Sequence, residues 1–80
     1  MPTVDIEYCV PCGHLDRAIQ TQRTLLAEFG RDLDAVTLRT GDGGVFVVSV
    51  DGETVLDARE DGYDVGEITT EVRQRVDAGP

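Results

Sequence analysis

Eighty residues make a single domain, 1–80, near the lower limit for a chain that must bury its own core; about 60% of the unfolded surface can be hidden at this size, so stability is modest. Sixteen acidic residues face seven basic ones, every basic residue is Arg, and the net charge of -9 excludes a nucleic-acid partner, which needs clustered cations. No apolar run approaches a membrane span and no basic start leads into an apolar segment, which predicts a soluble, untargeted protein with no membrane partner.

Val4, Ile6 and Tyr8 alternate with Asp5 and Glu7, so a first strand runs from Thr3 to Tyr8 with one covered and one wet face. After Cys9-Val10-Pro11-Cys12, the residues Leu15, Ala18, Ile19, Gln22, Leu25, Leu26 and Phe29 recur at helical spacing. This first helix is expected from about Cys12, with Pro11 at the first helical position, to Phe29, and Gly30 caps it. Val36 and Leu38 alternate with Thr37 and Arg39 in a second strand, broken by Gly41-Asp42-Gly43-Gly44. Val45 to Val50 is rich in β-branched residues and reads as a third strand. Asp51-Gly52 makes a two-residue hairpin turn into a fourth, from Thr54 to about Ala58.

Asp64 then caps a second helix with Glu67 as its capping-box partner, and Ile68, Val72 and Val76 give that helix a narrow apolar stripe. Ala78 to Pro80 should fray. The order β-α-β-β-β-α joins two parallel strands by a right-handed crossover and adds antiparallel strands by the hairpin. Both helices are expected on the face opposite Asp5 and Glu7. The expected fold is an α/β two-layer sandwich, a reduced thioredoxin-like arrangement.

Cys9 and Cys12 are the only cysteines, and they lie where the first strand meets the first helix. Two sulfurs so spaced suit thiol–disulfide chemistry, because a helix N-terminus stabilises a thiolate and the second sulfur can close on the first. Other readings compete. As a structural staple the bridge is poorly placed, since so short a loop gives about 2 kcal/mol against about 3 for fifteen residues. Cys9, Cys12 and His14 form a possible zinc cluster, but a closed site wants four ligands and the chain has no further Cys or His. Inert thiols are the remaining alternative. By position alone, Cys9 ends the strand open to solvent and Cys12 lies covered in the first helical turn, so Cys9 is the expected attacker and Cys12 the resolver.

His14 favours a thiolate if protonated, or shuttles its proton, although a solvated first-turn residue is the simpler reading. Arg17 either anchors an anionic thiol substrate or pairs with Asp16 or the first-strand acids. Glu7 and Asp16 oppose thiolate formation, less so in high salt. The Gly41–Gly44 segment lacks the Gly-Lys-Ser/Thr ending of a phosphate loop and leads into a strand. As a turn it needs no function. In this topology it also lies beside the cysteines, where Gly43 and Gly44 let a substrate backbone approach closely. Tyr63 reads as core or rim rather than catalytic.

Glu7-Tyr8-Cys9-Val10-Pro11-Cys12-Gly13, Arg17-Ala18, Gly41-Asp42-Gly43-Gly44-Val45-Phe46, Asp51-Gly52-Glu53 and Arg59-Glu60-Asp61-Gly62-Tyr63 follow one another along nearly the whole chain. In that order they resemble the Rdx family, the relatives of selenoproteins W, T and H. The resemblance implies a thioredoxin-like fold, a redox-active pair and an oxidoreductase role in cellular redox homeostasis. It also places Cys12 where relatives carry selenocysteine, the stronger nucleophile. Asp64-Val65 departs from the Pro often found there in relatives. So does the acidity, which is Asp-rich and Lys-free and resembles that of proteins from salt-in halophilic archaea. At about 1 M salt the screening length falls to about 3 Å and crowded carboxylates stop repelling.

The expected activity is that of a cytoplasmic thiol–disulfide oxidoreductase without cofactor or metal. It cycles Cys9 and Cys12 with a small-molecule thiol or a partner redox protein, since in a reducing cytosol such a bridge is catalytic or sensing. The alternative is a non-catalytic protein-binding or zinc-bridged module using Cys9, Cys12 and His14.

Overall fold

Alternation at period two decides which face of the sheet is covered. In the computed structural model, which describes residues 2–78, four strands form one sheet: β1 (Thr3–Cys9), β2 (Ala35–Gly41), β3 (Phe46–Val50) and β4 (Glu53–Asp57). Their spatial order is β2-β1-β3-β4. β1 and β2 are parallel, and β3 is antiparallel to both β1 and β4. Register places Ile6 between Leu38 and Val48, and Val4 between Val36 and Val50, so the apolar sets of neighbouring strands share one face. Asp5 and Glu7 fall on the other face with Thr37 and Arg39, and Arg39 donates to Asp5 across the strands at 3.2 Å.

Two long helices, α1 (Leu15–Phe29) and α3 (Val65–Ala78), cover the apolar face, with a one-turn α2 (Ala58–Asp61) between β4 and α3. Ala18, Leu25 and Phe29 of α1 and Ile68 and Val72 of α3 close the core over Val4, Ile6, Phe46, Val48, Val50 and Leu56. The two-layer α/β sandwich is therefore as expected, with both helices on one side. Arg73 of α3 ties the helices together, donating to Glu28 at 3.0 Å and lying over the Phe29 ring. Arg75 reaches Glu71 and, on β4, Glu53. The Glu53 hydrogen bond is the main cause holding the Arg75 guanidinium above its ordinary pKa.

Element boundaries carry the differences. α1 begins at Leu15, three residues later than the Cys12 expected from the sequence. Gly30 ends it with φ 47° and its N–H on Leu26, as expected, and a 3₁₀ turn (Gly30–Asp32) follows. The fourth strand stops at Asp57, whose carboxylate accepts from Arg59 N and starts α2, an element the propensities of Ala58–Asp61 do not announce. Asp64 accepts from Glu67 N at 3.1 Å, which is the forward half of the expected capping box. Asp51 and Gly52 have φ of 51° and 86°, the two positive values of a type I′ hairpin turn. Of the residues expected to fray, Ala78 is the last of α3, and Gly79 and Pro80 lie outside the described residues.

Candidate functional site

The two cysteines are bridged, with Cα atoms 5.3 Å apart. The chain between them makes a turn of its own before α1. His14 N donates to Cys9 O at 3.4 Å and Gly13 N to Val10 O at 3.2 Å, and Gly13 has φ 78°. Those paired bonds with a left-handed glycine are the closing pattern that ends helices, here wrapped around a single turn. Gly13 thus separates Cys12 from α1, which is why Pro11 does not occupy the first helical position.

This geometry overturns the exposure expected for the sulfurs. Cys9 is 0% exposed, as the last residue of β1, with its N–H on Val45 O at 2.8 Å and its backbone paired with Gly41. Cys12 is exposed at the tip of the turn. A strand end looks open in sequence, but here the 41–45 loop closes over it. The assignment of Cys9 as the open attacker therefore loses its geometric basis.

Gly41 is fitted to that closure. A Cβ there would lie 2.8 Å from Val45 Cγ1 and 2.9 Å from Glu7 Oε2. Gly43 and Gly44 have φ of 69° and 82°, and Val45 N returns to Asp42 O, so both glycines are demanded by the turn itself. A Cβ on either would meet no atom within 4 Å.

At this end of the sheet stands a cluster of aromatic and cationic side chains. The half-buried His14 ring lies 6.2 Å from Phe46, and Phe46 meets Tyr63 edge-on at 5.4 Å. The Arg17 guanidinium sits over Tyr63 at 4.6 Å and near Phe46 at 5.9 Å. Among the described residues it has no carboxylate partner, so stacking holds it rather than the ion pair with Asp16 or a β1 acid. Tyr63 is fixed in turn by the fully buried Thr21, whose hydroxyl donates to Arg17 O and accepts from Tyr63 Oη at 2.8 Å. Tyr63 is half-buried, at the rim of the core.

The structure brings Cys9, Cys12, His14, Arg17, Gly43 and Gly44 to one end of the sheet. Sequence reasoning missed Phe46 and Thr21. Phe46 stood out as one apolar residue in a strand and as part of the family pattern, without a role at the site, although an aromatic two residues after a Gly-Gly turn is a usable signal. Thr21 carried a weaker one, a hydroxyl on the apolar side of an amphipathic helix. No group of three or more His, Cys, Asp or Glu arranged to hold a metal occurs among the described residues. Among those residues no helix is long and apolar enough to cross a membrane.

Among solved structures, the chain is similar to a Bordetella parapertussis protein, at 36% identity and TM-score 0.88, over 92% of this chain and 96% of that one. It is also similar to a selenoprotein W-related protein from Vibrio cholerae, at 22% identity and TM-score 0.88, over 94% and 96%, a likeness of fold. No curated protein gives a significant match. The sheet order, the covered face and these neighbours together make the fold thioredoxin-like. The Rdx family model matches residues 3–77, nearly every described residue and the whole of the site, and the chain belongs to the Rdx family.

Proposed function

We propose that this protein is a thiol–disulfide oxidoreductase in which Cys12 exchanges with substrate and Cys9 resolves. The observation that carries the reading is the pairing of a fully buried Cys9 with an exposed Cys12 in one bridge. Attack needs access, and only one sulfur offers it. In the reducing direction the Cys12 thiolate attacks a substrate disulfide, forming a mixed disulfide and releasing one substrate thiol. The Cys9 thiolate then attacks Cys12 Sγ, the mixed disulfide breaks, and the second thiol leaves. Two electrons pass to the substrate and the Cys9–Cys12 bond forms. The oxidising direction retraces these steps, with an incoming thiolate attacking Cys12 Sγ.

His14 lies two residues from Cys12, and the exposed Arg17, with no carboxylate partner among the described residues, can meet an anionic group on a small thiol or a partner redox protein. The side-chain-free Gly43-Gly44 turn leaves room for that partner's backbone. A reducing compartment such as the cytosol suits a bridge that must open and close.

The test uses the two single variants with a disulfide substrate in limiting amount. Cys9→Ser should accumulate a stable mixed disulfide detectable by mass, while Cys12→Ser reacts slowly. The reverse pattern would return the attack to Cys9, and no exchange by the reduced wild type would remove the activity. The composition also supports adaptation to a salt-rich interior. The unfolding temperature should then rise from dilute to molar KCl as carboxylate repulsion is screened, and a flat or falling trend would refute the adaptation.

A further inference from the structure

The two edges of the sheet are treated differently. β4 carries Glu53 and Asp57, is interrupted by a bulge where pairing steps from Leu56 to Thr54, and runs directly into α2 with Glu60 and Asp61. Bulges and charges of this kind keep an edge from pairing. β2 (Ala35–Gly41) has neither a bulge nor an acidic residue, in a chain with sixteen acids among eighty residues.

Beside that open edge lies an uncovered stripe. Val10, Leu15, Ile19 and Leu26 are the exposed large apolar residues among those described, at 51%, 46%, 41% and 44% exposure. Leu15, Ile19 and Leu26 follow one line along α1. Gln22 continues that line and donates to Val36 O of β2, which fixes the flank as the β2 side. Val10 N donates to Gly41 O, the last residue of β2. The opposite flank of α1 is occupied by Arg17 on Tyr63 and by Glu28 with Arg73.

We propose that this flank binds a second copy of the chain, two-fold related, with the β2 edges side by side and the α1 helices antiparallel. The stripe is self-complementary under that symmetry, as a closed dimer requires. Leu15 meets the second copy's Leu26, and Ile19 meets its Gln22. The same register brings Asp16 toward the second copy's Arg23, with an axial offset of about 3 Å that an Arg side chain spans. Neither Asp16 nor Arg23 has an ion-pair partner within the chain among the described residues. Each copy brings a charge of -9, so the dimer tightens as salt rises.

Sedimentation equilibrium on the full disulfide-bonded chain, in dilute and in molar KCl, tests this. The wild type should dimerise, more tightly in molar KCl. Leu26→Asp and Ile19→Asp, both at exposed positions, should each raise the dissociation constant at least about tenfold. They should leave the circular dichroism spectrum unchanged. Asp16→Arg and Arg23→Asp should each weaken the dimer, and the two combined should recover it. A wild type that stays monomeric to millimolar concentration in molar KCl would overturn the proposal and assign the flank to another partner. A dimer indifferent to both Asp variants, or a double reversal no tighter than the singles, would overturn it equally.

Discussion

At the hairpin end of the sheet, Asp51 and Gly52 turn β3 into β4 in two residues. There the Asp51 carboxylate accepts from Thr3 N at 2.9 Å while its N–H donates to Thr3 O. At the disulfide end, two loops are needed. One wraps Cys9 to Cys12 around Gly13, and the other folds Gly41–Val45 over Cys9. Both ends depend on positive φ angles, but they use them for different purposes. The hairpin end satisfies backbone groups and fixes register. The disulfide end uses the same conformations to bury one sulfur, present the other, and stack Arg17 over a ring.

Substitutions should separate these roles. Phe46→Ala should have the largest effect, about 3–5 kcal/mol by denaturant unfolding, since it empties a fully buried site beneath His14, Arg17 and Tyr63. It should change the rate of disulfide exchange as well; an unchanged rate would mean that the cluster does not serve the sulfurs. Gly41→Ala should cost about 1–3 kcal/mol by forcing Val45 away from Cys9. Glu7 can swing aside into solvent and Val45 cannot, so adding Val45→Ala should recover part of the loss where Glu7→Ala does not.

Gly13→Ala should cost about 1–2 kcal/mol through its left-handed backbone, with no steric clash, and should alter how fast a thiol reduces the bridge. Asp51→Ala should cost the least, about 1 kcal/mol for the bond to Thr3 N, and leave exchange kinetics unchanged. Asp51→Asn, which keeps an acceptor, should retain most of that stability. If Asp51→Ala slowed exchange, the contrast between the two ends would fail.

The strand pattern Val4-Ile6-Tyr8, the β-branched run ending at Val50, the Asp51-Gly52 turn and the Gly30 stop are short-range signals, and each sufficed to place its element. The same holds for the pairing of Cys9 with Cys12, because three residues of chain keep the sulfurs within reach. Boundaries at the site were less legible. Pro11 suits a helix start in isolation, but Gly13 two residues later takes a left-handed φ that ends the turn, and a local pattern does not weigh one against the other. Which sulfur is buried depended on Val45, a residue thirty-six positions from Cys9 that reaches it only through β1–β3 pairing. Arg17 likewise had several acidic neighbours in sequence, and its actual partners, Phe46 and Tyr63, come from other elements. The sequence by itself determined the four strands, the two long helices, the covered face and the Cys9–Cys12 pair, since those follow from periodicity and proximity. Only the tertiary structure decided which cysteine is exposed and what surrounds it, because burial is a property of long-range contacts.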